Sequence, residues 1–249
     1  MSPRPGPRLL VVTAVPAERA AVLAGLDPAG TDPAGRRPAG TDPAGAGPWA
    51  VTVAVVGVGP AASAAGTGRL LAPAEAAGCR YDAVLVAGIA GGFSGVVGVG
   101  GLALASASVA ADLGADTDAG FVGIDELGFG TAIAPTDPAL TAAVRAALPA
   151  AVVGTIVSVS TVTGTAARAD ALRARYPEVV AEAMEGHGAA VAAAAAGARF
   201  AELRAISNPV GPRDRAAWRI PAALAALTTA FATLRTTMPA IGSAPTRTG

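Results

Sequence analysis

Three residues of this sequence pair useful chemistry with a place just beyond an apolar run: Glu18, Glu185 and Asn208. Two carboxylates in one site can divide labour, one taking a proton from an attacking water and the other steadying positive charge. A carboxamide beside them presents a donor and an acceptor in fixed relation, which suits it to reading the edge of a base. Near them in the order of the chain lie two glycine-rich stretches, Gly57-Val58-Gly59-Pro60 and Gly88-Ile89-Ala90-Gly91-Gly92. A hydroxyl-bearing run follows later, Ser160-Thr161-Val162-Thr163.

What puts these groups together is the pattern of the elements before them. Apolar runs cover Leu9 to Val15, Val51 to Val56, Ala83 to Ala87, Leu102 to Val109, Val152 to Ser158, Val179 to Ala183 and Leu203 to Ile206. Helical patterns lie over Pro16 to Leu26, Pro60 to Ala77, Pro138 to Leu148, Thr165 to Arg175, Gly188 to Ala198 and Pro221 to Leu234. This alternation predicts an α/β chain in three layers, with a mixed, mainly parallel central sheet flanked by helices. Ligands of such sheets bind beyond the carboxyl ends of the strands, where loop amides and helix N-termini converge. Two carboxylates, a carboxamide and two glycine turns would then share one rim.

Each member also fits a purely structural role. Pro16 suits the first helical position and puts Glu18 in the first turn, where the helix dipole favours a carboxylate by about 0.3–1 kcal/mol. Glu185, before Gly186, fits the same description. Asn208 before Pro209 is a common turn residue, and the glycines can serve tight turns with no ligand. His187 stands only two residues from Glu185, too close in a helix to face it, so a structural or rim role is expected.

Composition narrows the class. The chain has 249 residues, enough for one large domain over 1–249, and 52% hydrophobic residues with only 4% aromatic. Formal net charge is zero and no lysine occurs, which argues against a nucleic-acid partner and removes the phosphate loop that needs Gly-Lys. A single Cys (Cys79) and a single His (His187) leave no cysteine- or histidine-based metal site, and no cofactor is expected. The apolar start is too short for a secretion signal and no long uncharged stretch reads as spanning a membrane, so the expected setting is the cytoplasm. The repeat of Asp-Pro-Ala-Gly within 27–48 has no apolar face to bury and reads as a low-complexity surface loop; 1–8 and 241–249 read as disordered. Gly57-Val58-Gly59-Pro60-Ala61-Ala62 formally matches a dinucleotide fingerprint. The acidic residue about 20 positions on, Asp82, precedes its strand instead of ending it, so a nicotinamide cofactor is not expected. No Gly-x-Ser-x-Gly elbow is present.

Taken together, Ala14-Val15-Pro16-Ala17-Glu18, Gly57-Val58-Gly59, Ala87 to Gly92, Ile156-Val157-Ser158, Ala183-Met184-Glu185 and Arg204 to Asn208 resemble the methylthioadenosine/adenosylhomocysteine nucleosidases of the nucleoside phosphorylase superfamily. Order and spacing hold over nearly the whole chain. The resemblance implies a nucleoside-phosphorylase-like fold, a small-molecule nucleoside substrate and a homo-oligomer, a dimer or higher. It implies that Glu18 activates the attacking water, that Met184 packs under the ribose and that Glu185 binds its hydroxyls. It further implies that Ala90 and Gly91 form a turn at the ribosyl site and that Val162 and Thr163 cradle the purine.

One departure is informative. Where adenine-cleaving members carry Asp, this chain has Asn208, which can donate to the 6-oxo group or N7 of a purine but is not an acid; a 6-oxopurine leaving group follows. The run Ser207 to Asp214 with Trp218 and Arg219, and the segments Ala111 to Ala115 and Asp125 to Gly130, are similar to futalosine hydrolases. That branch releases hypoxanthine from futalosine in a menaquinone route, and Arg213 or Arg219 would pair with the substrate carboxylate, unless Arg213 and Asp214 merely order a loop. The rivals are a phosphorylase of inosine or guanosine, a methylthioadenosine/adenosylhomocysteine nucleosidase, a non-catalytic nucleoside-binding domain and a dinucleotide-dependent oxidoreductase. The phosphorylase needs cationic phosphate ligands, and Val84-Leu85-Val86-Ala87 supplies none.

Overall fold

The computed structural model describes residues 6–27 and 49–238. The segments 1–5, 28–48 and 239–249 lie outside it, and with them nearly all of the expected surface loop and the whole of the expected tail. Arg8, placed at the end of the frayed start, instead begins the first strand.

In chain order the elements are β1 (Arg8–Thr13), α1 (Pro16–Leu26), β2 (Ala50–Val55), α2 (Pro60–Ala76), β3 (Ala83–Gly92) and β4 (Leu102–Ala110). There follow β5 (Gly114–Thr117), β6 (Gly120–Gly123), β7 (Ile133–Pro135), α3 (Pro138–Ala147), β8 (Val152–Ser158) and α4 (Ala166–Arg175). Last come β9 (Val179–Ala183), α5 (Gly186–Ala195), β10 (Arg199–Pro209) and α6 (Ile220–Thr237). Prolines open α1, α2 and α3 and stand in the first turn of α6, where the missing N–H costs nothing. Asp137 caps α3 by accepting from Leu140 N at 2.8 Å. All seven expected apolar runs fall on strands. The short β5, β6 and β7 went unseen.

The main sheet runs β10-β4-β8-β9-β3-β1-β2, with β7 on β4, and β10 also pairs with β3. That extra pairing closes β3, β9, β8, β4 and β10 into a ring. A cluster of buried residues drawn from all five strands includes Ala90, Ala103, Ala105, Ile156, Ala181, Ala183 and Ile206. Small side chains suit the narrow interior of so few strands, which gives the alanine-rich strands a physical reason.

Two further clusters make the outer layers. Leu9, Val11, Leu85 and Ala87 point to the side covered by α1, α3 and α6, while Leu10, Val12, Val84 and Val86 point to α2 and α5. Both faces of β1 and β3 are therefore buried, as their unbroken apolar runs predict. Helices of Ala and Gly let α2 and α5 approach closely: a Cβ on Gly188 would sit 2.1 Å from Pro60 O. Among the described residues the stretch 215–237 is long and apolar enough to cross a membrane, with mean hydropathy 1.2. Its stripe of Ala223, Leu227, Ala230, Phe231 and Leu234 is instead buried in the cluster shared with α1 and the sheet.

Candidate active site

The site lies where β3 changes partners. Along one edge it pairs with β10 from Ala83 to Gly92; along the other, Ala83 to Val86 pair with β1, and Gly91 and Gly92 pair with β9. Between Val86 and Gly91 the second edge faces no strand among the described residues. The fork opens a cavity of about 400 Å³, a size suited to a nucleoside.

Glu18 fills the crotch of that fork and is 3% exposed. Its Oε2 accepts from Ala14 N at 2.8 Å and Val15 N at 3.3 Å, and its Oε1 accepts from Ile89 N at 2.8 Å. Three main-chain donors thus hold a carboxylate with room for about four, which leaves one acceptor position for a water. Glycine at position 88 makes this possible, since a Cβ there would lie 2.5 Å from Glu18 Oε1 and 2.9 Å from Arg204 Nη1.

Glu185 stands at the N-cap of α5, accepting from Gly59 N at 3.2 Å through Oε1 and pairing with Arg204 Nη1 at 3.1 Å through Oε2. Arg204 Nε in turn donates to Glu202 Oε1 at 2.9 Å. Arg204 and Glu202 are at most 1% exposed. Burial alone would push the guanidinium down, but Glu202, Glu185 and Glu18 hold it above its ordinary value. Burial raises the Glu202 carboxyl, against the pull of Arg204. Arg204 thus pairs directly with Glu185 and Glu202 and also attracts Glu18.

The other end of the cavity is built from Val162, Thr163, Glu182, Ser207, Asn208 and the segment Pro209 to Asp214 with Trp218. Ser207 Oγ lies 2.8 Å from Asn208 Oδ1, and Asn208 Nδ2 donates to Pro209 O at 3.0 Å. The Pro209 contact fixes the orientation of the amide, with its carbonyl beside the Ser207 hydroxyl, which also reaches Ala90 O at 3.2 Å, and its second N–H unspent. Glu182 accepts from Thr163 N at 2.8 Å and from Thr163 Oγ1. Burial pushes its carboxyl up, and the Thr163 bonds act against that.

The model of the phosphorylase superfamily matches residues 8–236. Futalosine hydrolase of Streptomyces coelicolor is 52% identical over 91% of this chain and 94% of its own length. The chain belongs to the futalosine hydrolase family. The same enzyme of Acidothermus cellulolyticus is 47% identical over 90% of this chain and 89% of its own. The fold is that of solved family structures. Native futalosine hydrolase of Helicobacter pylori superposes with a TM-score of 0.71 at 20% identity, covering 93% of this chain and 97% of that one. S-adenosylhomocysteine nucleosidase of Streptococcus pyogenes, in complex with 5-methylthiotubericidin, gives 0.75 at 19%, covering 95% and 99%.

For this futalosine hydrolase family member, nine of the residues singled out in the sequence line the same cavity: Glu18, Ala90, Gly91, Val162, Thr163, Met184, Glu185, Asn208 and Arg213. One expectation needs correcting. Ala90 and Gly91 do not form a turn; β3 runs on through Gly92, because β10 keeps pairing beside it to Pro209, and Gly91 has no room for a Cβ beside Val210 and Asn208. His187 stays off the cavity, its N–H donating to Ser158 Oγ at 2.9 Å and its ring pushed down by burial. Arg219 is turned onto Ala216 O and Trp218 O, whereas Arg213 faces the cavity over the Trp218 ring at 5.7 Å. Asp214 caps the short 3-10 turn, accepting from Ala216 N at 2.9 Å. Sequence reasoning missed Glu182, Glu202 and the role of Arg204. Their one signal was a charge inside a strand otherwise buried on both faces.

Proposed function

We propose that this chain hydrolyses the N-glycosidic bond of futalosine, releasing hypoxanthine and dehypoxanthine futalosine. Kinship with futalosine hydrolases over nine tenths of the chain supports the substrate. For the 6-oxopurine, the observation that carries the reading is the amide of Asn208, which lines the cavity with its carbonyl beside the Ser207 hydroxyl and one N–H left over from Pro209 O.

Glu18 holds the attacking water. As the C1′–N9 bond breaks, the bonding pair leaves with the base as an anion that takes up a proton from solvent, the water oxygen bonds to C1′, and Glu18 takes the water proton and later returns it to solvent. Cleavage passes through an oxocarbenium-like sugar, which the carboxylates of Glu18 and Glu185 in the cavity favour. Glu185 accepts from the ribose hydroxyls, Met184 packs beneath the ring, Ala90 and Gly91 line the sugar side, and Val162 and Thr163 flank the purine. Asn208 donates to O6 or N7 of the departing base. Arg213 pairs with the carboxylate of the 5′-substituent. Water is favoured over phosphate as nucleophile because Arg213, at the rim, is the one cationic side chain among the described cavity residues, and Arg204 is committed to Glu202 and Glu185.

A homo-oligomer belongs to this proposal, supported by Phe129 at 81% exposure with Leu113 and Leu127 also exposed nearby in sequence. So does a cytoplasmic setting, supported by the free, exposed thiol of Cys79. The test is incubation with futalosine, inosine and methylthioadenosine, with released bases separated by chromatography. Hypoxanthine from futalosine is expected to dominate; release of adenine from methylthioadenosine at a comparable rate would refute the assignment.

A further inference from the structure

Across three neighbouring strands the register lines up Asn208 on β10, Gly91 on β3 and Glu182 on β9. Asn208, just past a register shift in β10, stands opposite Gly91, and Gly91 opposite Glu182. Directly opposed residues project to the same face, and adjacent strands lie about 4.8 Å apart, so the two polar side chains flank a slot roughly 10 Å wide between their Cα atoms. Gly91 keeps the slot open. A Cβ there would sit 2.9 Å from Val210 Cγ2 and 3.4 Å from Asn208 Nδ2. All three residues line the cavity.

Glu182 has no part in the hydrolytic step above, yet it is only 7% exposed and lines the cavity. Thr163 donates once to each of its oxygens, which leaves each oxygen one further acceptor position. The slot therefore has a donating wall at Asn208 and an accepting wall at Glu182. A 6-oxopurine matches both walls along one edge: O6 and N7 accept, and N1 carries a hydrogen to donate. A 6-aminopurine presents a lone pair at N1 and meets the carboxylate with repulsion.

We infer that Glu182 is a specificity-determining residue that accepts the N1–H of a 6-oxopurine whose O6 and N7 edge is held by Asn208. This rests on the 6-oxopurine reading of the site and adds a second, independent reader of the base. It gives Thr163 a task as well: its main-chain N–H and hydroxyl, spent on Glu182, fix where the accepting oxygens point.

The test measures kcat/KM of the full chain and of Glu182→Gln on futalosine and on its 6-amino counterpart. A hydrogen bond to a charged group is worth about 1.5–3 kcal/mol, so Glu182→Gln should lose roughly 10- to 100-fold on futalosine. On the 6-amino substrate it should lose nothing or gain, because the new NH₂ can donate to N1. An equal loss on both substrates, the mark of a residue that only orders the Thr163 loop, overturns the inference; so does no loss on futalosine. If the variant does not fold, wild-type binding of two free bases decides. Hypoxanthine should bind about 100-fold more tightly than 1-methylhypoxanthine, and equal binding refutes the contact. Failure of the wild type to release hypoxanthine from futalosine would count against the proposed function, while the pair of free bases would still read the Glu182 contact.

Discussion

The two ends of the cavity are built on different principles. At the sugar end every charged group is fixed by partners: three main-chain donors on Glu18, Arg204 and Gly59 N on Glu185, and Arg204 on Glu202. At the base end the readers are a half-buried amide, a hydroxyl and a single carboxyl set around a bare glycine. The first arrangement resists reorganisation, as a site must when charge develops on the substrate. The second holds donors and acceptors ready for one pattern of hydrogen bonds, which is how a site tells one base from another. Changes at the sugar end should therefore cost rate or stability for every substrate, and changes at the base end should redistribute preference.

The largest effect is expected from Glu18→Gln. Loss of the general base should lower kcat by about 10²–10⁴-fold, with KM little changed, read as initial rates of hypoxanthine release. Next is Arg204→Met, which leaves Glu202 and Glu185 buried without their cation. A loss of about 3–5 kcal/mol in urea unfolding is expected, and a loss under 1 kcal/mol would mean the pair carries little. At the base end, Asn208→Asp should cut kcat/KM on futalosine by about 10- to 100-fold while improving the 6-amino counterpart; a uniform fall would put Asn208 with the sugar-end residues instead. The smallest change belongs to the rim. Arg213→Ala should raise KM for futalosine by about fivefold, the scale of an exposed ion pair, and leave inosine untouched.

The same division governs what was legible in the sequence. Glu18, Glu185 and Asn208 could be found because each follows an apolar run at a helix start or strand end, where a polar residue stands out. Glu182, Glu202 and Arg204 sit inside β9 and β10, where burial on both faces makes the run read as apolar and a charge looks incidental. Gly88 to Gly92 read as a turn because glycine-rich ends usually are; here they continue a strand that must pass side chains at close range. β5, β6 and β7 are three or four residues long and carry no apolar period to detect. Closure of the ring by β10 on both β3 and β4 depends on long-range pairing and left no local trace.

In the proposed reaction the fork between β1 and β9 places a water, not a phosphate, on Glu18. This is tested by the initial rate of hypoxanthine release from futalosine in phosphate-free buffer and again at saturating phosphate. Equal rates are expected, with free dehypoxanthine futalosine as the second product in both. A rate that appears only with phosphate, together with a sugar phosphate product, would contradict it.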